Sequence, residues 1–193
     1  MEVRCARPGE REAVLGILEE GFADDPFVAW VTQREAAARR RYLELVHDRL
    51  VAPRGEVWVD AGLRSAALWV RPGAWELSLI EQLRLLPRVA RVVGFGRLGI
   101  MARASARIEA GRPARYWYLA LLATRPGARR KGLGRAVMAP ILRRCDREGE
   151  LALLETSHPP NVRWYRGLGF EVRREIDLGQ GAPRVWAMER RPR

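Results

Sequence analysis

The sequence contains few cysteines and no long uncharged hydrophobic run. Its 193 residues include only two cysteines, Cys5 and Cys145, whose separation matches no metal-binding or redox motif. We therefore expect free thiols, as in a reducing cytoplasm, and no metal site. The most hydrophobic stretch, 83–101, is interrupted by arginines and by Pro87. The sequence accordingly predicts an amphipathic helix there and no membrane-spanning segment.

The first twenty residues show no secretion-signal pattern, and lysine is scarce. The first twenty residues carry several charges, which argues for a cytoplasmic protein. The formal net charge is +12, yet Lys131 is the only lysine among 35 basic residues. The arginines are spread along the chain without a zinc-finger, helix-turn-helix or RNA-recognition pattern. We therefore do not expect nucleic acid to be the primary partner, and a basic surface would instead attract a small anionic ligand.

The length and the 48% content of hydrophobic residues suit a single domain, 1–193, with a full core. Periodicity predicts strands at 2–6, 56–60, 65–70, 115–124, 151–157, 170–176 and 184–189, and helices at 10–22, 34–51, 75–86, 89–110, 133–148 and 161–168. This order predicts an α/β (α+β) domain, in which helices flank one mixed sheet and a helical insert occupies about 74–112. The unit at 115–157 predicts a right-handed crossover between parallel strands.

Residues 123–138 combine a strand end, a basic glycine-rich loop and a helix start. The strand ends before Pro126, three cations follow at 129–131, and Gly132 and Gly134 precede the helix. Free N–H groups at a helix start favour an anion, and the helix dipole adds to this preference. Glycines let the backbone approach phosphate closely. The segment therefore predicts a phosphate-binding site.

The spacing within this loop separates three phosphate motifs. Gly127 and Gly132 have the separation of P-loop glycines, but the required Lys-Ser/Thr pair does not follow. The dinucleotide fingerprint needs glycine or alanine where Val137 stands. The pattern Arg/Gln-x-x-Gly-x-Gly/Ala is met by Arg129, Gly132 and Gly134. An ordinary basic strand-to-helix turn is the alternative.

A second group of residues lies downstream of this loop. Asn161 and Tyr165 are four residues apart, so both face one side of a short helix, and Gly169-Phe170 follows. Helix capping by Asn161 and core packing by Tyr165 are the alternatives. Taken with the loop, these residues resemble the signature of the GNAT superfamily of N-acetyltransferases. Further fragments, including 22–26 and 154–157, resemble its puromycin N-acetyltransferase branch.

The resemblance implies a GNAT-like fold and acetyl-CoA as cosubstrate, without a metal. The implied sheet is twisted and mostly antiparallel, with about six to seven strands and with splayed parallel strands at its centre. The acetyl-CoA-binding core would span about 115–170. The implied binding groups are the strand end Leu122, Ala123 and Thr124, the pyrophosphate loop Arg129, Arg130, Lys131, Gly132, Leu133, Gly134 and Arg135, and Asn161 on the pantetheine arm.

The resemblance makes Tyr165 the general acid. A tyrosine pKa of about 10 suits protonation of a departing thiolate. The general base stays open, because the central strand at 119–123 contains no carboxylate. Glu155 on the next strand is the first candidate, although a structural salt bridge is an equal alternative for it. His158 is the second candidate, and an amine that needs no protein base is the third alternative.

The resemblance also implies an acceptor, which is a small-molecule amine such as an antibiotic or an aminoacyl-nucleoside-like compound. We expect its pocket to include the acidic residues Asp24 and Asp25, the hairpin at 56–70 and the insert. The tryptophans that could line it are Trp30, Trp58, Trp69 and Trp75. A protein or peptide N-acetyltransferase and a non-catalytic acyl-CoA-binding regulatory module are the alternative functions. A homodimer is left open.

Overall fold

A seven-stranded sheet runs through the middle of the molecule, which a computed structural model describes for residues 1–193. The strands are β1 (Val3–Cys5), β2 (Gly55–Asp60), β3 (Ser65–Val70), β4 (Trp117–Thr124), β5 (Ala152–Thr156), β6 (Glu171–Ile176) and β7 (Val185–Arg190). Their order in the sheet is β1-β2-β3-β4-β5-β7-β6. Only the β4–β5 pair is parallel, and the others are antiparallel. The predicted mixed, mostly antiparallel sheet is confirmed.

Seven α-helices surround this sheet. They are α1 (Arg11–Gly21), α2 (Pro26–Val31), α3 (Ala36–Leu45), α4 (Leu79–Val93), α5 (Leu98–Glu109), α6 (Leu133–Glu148) and α7 (Pro159–Arg166). A π-helical turn, Val46–Val51, extends α3. None of the helices is both long and apolar enough to cross a membrane.

The fully buried strand β3 shows how the sheet separates two cores. Ala66, Leu68 and Val70 pack with α1 and α3 on one face. Ala67 and Trp69 pack with α6 and α7 on the other face. Successive side chains of a strand point to opposite faces, so an uninterrupted apolar strand is buried on both sides. The sheet therefore lies between two helical layers.

The parallel strands β4 and β5 pair over only three residues and then separate. Their register runs from Trp117↔Ala152 to Leu119↔Leu154. A β-bulge in β4 lies at the same point, because Leu68 pairs with Leu121 and Trp69 with Leu119. The extra residue, Ala120, increases the local bend of the strand. The sheet therefore opens towards the carboxyl ends of β4 and β5, as the predicted splay requires.

The helix α4 differs from the predicted helices in two ways, in where it starts and in its continuation through Pro87. The insert helix begins at Leu79, not at Trp75, because Ser78 forms a capping box with Glu81: the Glu81 N–H donates to Ser78 Oγ at 3.3 Å, and the Ser78 N–H donates to the Glu81 carboxylate at 2.9 Å. The predicted break at Pro87 is also wrong. Pro87 is exposed, so water can satisfy the carbonyl group that the proline leaves free, and α4 continues to Val93.

The short helix α2 was not expected. The predicted helices 10–22 and 34–51 leave no helix between them, but Asp25 and Pro26 form the N-cap and the first residue of a new helix. Asp25 Oδ1 accepts a hydrogen bond from the Val28 N–H at 2.9 Å. Proline is favoured at the first position of a helix, because its fixed φ suits the helix and its missing N–H is not needed there. This turn gives Asp25 a fixed position.

Candidate functional site

The basic loop between β4 and α6 has the backbone conformation of an anion site. Gly132 is the N-cap of α6 with a φ of 78°, and Arg130 also has a positive φ, 62°. No side chain caps the helix, and its first turn contains no acidic residue. Residues 129–132 are exposed and supply three cations. The predicted residues thus lie together, and they fit a diphosphate group, which needs free N–H groups and positive charge.

The helix α7 packs beside this loop. A Cβ atom on Gly134 would lie 3.4 Å from the Trp164 ring, so the start of α6 and α7 are within van der Waals reach of each other. Trp164 stacks edge-on against Tyr165, with 5.0 Å between ring centroids. Arg135 donates a hydrogen bond to the Gly167 carbonyl at 3.2 Å. The two motifs that the sequence predicted separately are therefore neighbours.

The three residues predicted at the end of β4, Leu122, Ala123 and Thr124, have different environments. Leu122 lines a cavity in the splay, whereas the side chain of Ala123 is buried against α1. The Ser65 hydroxyl donates to the Ala123 carbonyl at 3.0 Å and lies 2.8 Å from Thr124 Oγ1. Leu122 is thus the predicted strand residue with direct access to the cavity.

A cavity of about 300 Å³ extends from the splay into the layer of α2, α3 and the insert. Asn161 and Tyr165 line it on the side of α7. Tyr165 is buried, and burial followed by the charge of Asp25 raises the pKa of its phenol above the ordinary value. The hydroxyl thus keeps its proton at neutral pH, as a general acid must.

Glu155 also lines the cavity, but it belongs to a buried network. Its Oε1 accepts a hydrogen bond from Arg112 Nη2 at 2.9 Å, and its Oε2 accepts one from the Tyr118 hydroxyl at 2.6 Å. The side chains of Arg112 and Glu155 are only 8% and 10% exposed. Burial, followed by the charge of Glu155, raises the pKa of Tyr118. Both carboxylate oxygens of Glu155 therefore already have donors.

The other base candidate from the sequence, His158, lies outside the cavity. It is exposed, and its backbone N–H donates to Thr156 Oγ1 at 3.3 Å at the turn between β5 and α7. Its ring is not among the groups that line the cavity. Of the two sequence candidates for the base, only Glu155 faces the cavity.

The structure adds Asp25 to the carboxylates that could act as the general base. It is half-buried, lines the cavity and caps α2 through one oxygen, Oδ1. The Phe27 N–H donates to Ser157 Oγ at 3.3 Å, which ties α2 to the end of β5. Burial raises the pKa of Asp25, although the N–H groups at the start of α2 oppose this shift. Asp24, its neighbour, is exposed and does not line the cavity.

The cavity wall is mostly apolar and aromatic. Of its 31 lining residues 23 are hydrophobic, so a bound molecule would contact mainly carbon. Trp30 and Trp75 line it as expected, but Trp58 and Trp69 do not, and Trp69 is fully buried beneath α6. The aromatic wall also includes Phe22, Phe27, Tyr42, Tyr118 and Tyr165.

Sequence reasoning missed two residues of this site. Arg112 lies at the end of the predicted insert and belongs to no motif, and Tyr42 lies in the predicted helix 34–51 without a motif of its own. Their positions become functional only when the insert and α3 fold over the splay. The Asp-Pro pair at 25–26 did contain a usable signal, since that pair also starts helices.

Comparison with known proteins agrees with this geometry. Residues 85–170 match the model of the Acetyltransferase (GNAT) family. The match begins within α4 and ends after α7, so it contains the loop, the splayed strands and the Asn161/Tyr165 pair.

Solved structures extend the likeness to the whole chain. The histone acetyltransferase HPA2 and related acetyltransferase from Corynebacterium glutamicum is 25% identical, with a TM-score of 0.73 over 99% of this chain and 96% of its own. The polyamine N-acetyltransferase of Drosophila melanogaster, which forms N-acetylagmatine, is 16% identical, with a TM-score of 0.63 over 98% of this chain and 99% of its own. The arylalkylamine N-acetyltransferase 2 of Aedes aegypti is 12% identical, with a TM-score of 0.66 over 100% of this chain and 99% of its own. The last two show a shared fold. The chain thus matches the model of the GNAT acetyltransferase family over residues 85–170 and shares the fold of solved acetyltransferases over its whole length.

Proposed function

We propose that the protein transfers an acetyl group from acetyl-CoA directly to the amine of a small molecule, within a ternary complex. The observation that carries this proposal is the cavity in the splay, where Tyr165 and Asp25 line one space beside the basic loop. The charge of Asp25 contributes to the raised pKa of Tyr165, so the two groups are electrostatic neighbours.

Acetyl-CoA binds along the path from the basic loop to the splay. The N–H groups at the start of α6 and the cations at 129–131 hold the pyrophosphate, and charge-assisted contacts of this kind are the stronger hydrogen bonds. Asn161 and the backbone from Leu122 to Thr124 hold the pantetheine arm. The thioester would be the acyl donor, and the opening where β4 and β5 separate would leave room for its carbonyl group.

The chemistry needs one proton acceptor and one proton donor. The amine nitrogen forms the new C–N bond as the C–S bond breaks; its proton passes to a carboxylate, and Tyr165 gives a proton to the departing sulfur. We assign the carboxylate to Asp25, which lines the cavity and takes part in no ion pair with an arginine or lysine. Glu155 is the second candidate, but it would first have to release Tyr118 or Arg112.

The acceptor is a small molecule and not a peptide. A partly enclosed, aromatic-lined cavity of about 300 Å³ suits a compact ligand, whereas a protein substrate needs an open groove. The structural relatives named for polyamine and arylalkylamine substrates support the same class. The resemblance to the puromycin branch adds puromycin to the amines worth testing.

Release of free thiol from acetyl-CoA over a panel of amines tests the proposal. The panel contains puromycin, arylalkylamines, alkyl amines and a lysine peptide, and we expect turnover with a small amine. Acetylation of the peptide alone would overturn the small-molecule assignment. Acetyl-CoA binding without thiol release from any amine would identify a non-catalytic binding module instead.

The variant Asp25→Asn tests the assignment of the carboxylate. Asparagine caps a helix about as well as aspartate, so α2 keeps its start while the charge is lost. We expect kcat/KM for the amine to fall by about 10²-fold or more, as for loss of a general base, with unchanged affinity for acetyl-CoA. Unchanged kcat/KM would exclude Asp25.

We also propose a cytoplasmic location. Both cysteines are free thiols, Cys5 exposed and Cys145 buried, which suits a reducing compartment. Fractionation of the native host tests this, and recovery outside the cytoplasm would contradict it.

A further inference from the structure

We infer that the acceptor is a monoamine with an uncharged apolar body, and that the Arg112–Glu155 pair sets this preference by cancelling a second carboxylate in the cavity. The inference rests on the proposed function, because it specifies the substrate class of the same site. It assigns to Arg112 a role in specificity and none in the chemical step.

The charges along the cavity wall are few. Its ionisable acidic and basic residues are Asp25, Glu109, Arg112 and Glu155. Glu109 is exposed at the rim, 3.5 Å from the Trp75 indole nitrogen. A charge in that position is screened by water and contributes little to binding. The interior therefore contains two carboxylates and one guanidinium.

The guanidinium is committed to one of those carboxylates. Arg112 Nη2 donates to Glu155 at 2.9 Å, and the Tyr118 hydroxyl donates to the other oxygen at 2.6 Å. The Arg112 guanidinium lies 4.4 Å from the ring centroid of Tyr118 and 5.2 Å from that of Trp75. Its Nε and Nη1 are buried without an acceptor, so ring faces surround the part of the cation that Glu155 does not hold.

The pair leaves Asp25 as the half-buried cavity carboxylate that no cation inside the cavity compensates, since His158, the basic residue near it, is exposed and lies outside the cavity. One ammonium group of a substrate can therefore be compensated inside the cavity. A second ammonium would be buried without a counter-charge, and its desolvation would oppose binding. The remaining wall, which includes Phe27, Trp30 and Tyr42, offers aromatic and aliphatic contact to the rest of the molecule.

A matched pair of amines tests the inference on the wild-type protein. n-Hexylamine and pentane-1,5-diamine have the same length and differ at one end only. Hexylamine has a methyl group there, and the diamine has a second ammonium group. We expect kcat/KM for hexylamine to exceed that for the diamine by about 10- to 100-fold, the range over which a pocket discriminates between close analogues. An equal or reversed ratio would overturn the inference.

The variant Arg112→Gln then tests the role of the pair. Glutamine can still donate to Glu155 but carries no charge, so Glu155 becomes available to a second ammonium. We expect the hexylamine-to-diamine ratio to fall by about tenfold or more, since a hydrogen-bonded counter-charge is worth at least that factor. Arg112→Lys keeps the charge and serves as the control, with a ratio close to that of the wild type.

Several measurements separate the outcomes. If the hexylamine-to-diamine ratio, the acetyl-CoA affinity and the melting temperature of Arg112→Gln are all unchanged, the Arg112–Glu155 pair does not set the substrate preference. If Arg112→Gln does not fold, the wild-type ratio still decides the substrate class. Failure of every amine, both probes included, would refute the proposed function itself, whereas turnover with a preference for the diamine would refute only this inference.

Discussion

The basic loop and the acceptor cavity adjoin each other but are encoded in different ways. The loop is a continuous segment, 124–135, whose glycines and cations lie side by side in the sequence. The cavity takes residues from the turn before α2, from α3, from the insert and from the strands β4 and β5. A local motif can specify an anion site, because backbone N–H groups do most of the binding. The shape and charge of the cavity depend on contacts that only the complete fold creates.

The largest expected effect is at Tyr165, where the two regions meet. Tyr165→Phe removes the hydroxyl but keeps the ring contacts with Trp164 and Phe170. We expect kcat to fall by about 10²- to 10⁴-fold, the usual contribution of a general acid, while acetyl-CoA affinity is unchanged. Steady-state kinetics and calorimetry measure both quantities.

The control for this variant is Tyr116→Phe. Tyr116 is also buried but does not line the cavity, so its turnover should stay near that of the wild type. Equal turnover in Tyr165→Phe and the wild type would remove Tyr165 as the acid and leave it as a packing residue.

The second prediction concerns how much the buried Arg112–Glu155 pair contributes to the stability of the fold. Arg112→Ala leaves Glu155 buried without its cationic partner, and breaking a buried pair in this way costs about 3–5 kcal/mol of unfolding free energy. Urea denaturation followed by circular dichroism measures the loss. Arg115→Ala is the matched control, because Arg115 is 70% exposed in its contact with Glu150 and such surface pairs contribute about 0–1 kcal/mol. Equal losses in the two variants would show that the buried network does not hold the cavity together.

The same contrast explains which parts of the fold the sequence predicts. The helix α6 was predicted at 133–148 and is observed there, because Gly132 and Gly149 with positive φ bracket it. The strand β3 was predicted equally well at 65–70, since it is apolar from Ala66 to Val70 and buried on both faces. In both cases the local signal and the tertiary environment agree.

The errors in the expected fold lie where one residue type supports two structures. Proline can end a helix, start one or lie inside one on an exposed face. Both Pro26 and Pro87 lie between the predicted helices, although Pro26 starts α2 and Pro87 lies within α4. The partners of Glu155 could not be predicted either, because Arg112 is 43 residues away in sequence and reaches it only after the insert folds. Non-local contacts of this kind leave no spacing pattern.

The third prediction tests the loop by itself. Removing two cations with Arg129→Ala and Lys131→Ala should weaken acetyl-CoA binding by about 10- to 100-fold, because charge-assisted hydrogen bonds contribute about 1.5–3 kcal/mol each and exposure reduces this value. The KM for the amine should not change. Titration calorimetry with acetyl-CoA measures the affinity.

A control of equal charge change is available on α6. Arg143 and Arg147 are exposed on the same helix, away from its first turn, and their double replacement by alanine should leave the affinity nearly unchanged. A similar loss in both double variants would assign the effect to net charge instead of to the loop.

The fourth prediction is that kcat/KM depends on pH through the charge of Asp25. Burial raises the pKa of Asp25 above its usual value of 3.8, so its charge disappears at a higher pH than that of an exposed aspartate. The amine itself also titrates, and the ratio of kcat/KM between the wild type and Asp25→Asn removes that contribution. We expect this ratio to fall by about tenfold per pH unit once the pH lies below the pKa of Asp25. A ratio that stays constant down to pH values at which the fold is lost would show that the charge of Asp25 is not used.

The smallest expected effect tests whether the loop conformation is set locally. Gly132 has a φ of 78° and open space where a Cβ atom would lie, 3.9 Å from the nearest side-chain atom. Alanine in this left-handed conformation costs about 1–2 kcal/mol, and the cost comes from the backbone alone because no neighbour is displaced. Gly127→Ala in the same loop meets nothing within 4 Å and has no positive φ, so its unfolding free energy should match the wild type. If both variants lost equal stability, crowding in the loop and not the backbone at Gly132 would set its shape. If only Gly132→Ala also weakened acetyl-CoA binding, the left-handed glycine would be the feature that aims the N–H groups of α6 at the pyrophosphate.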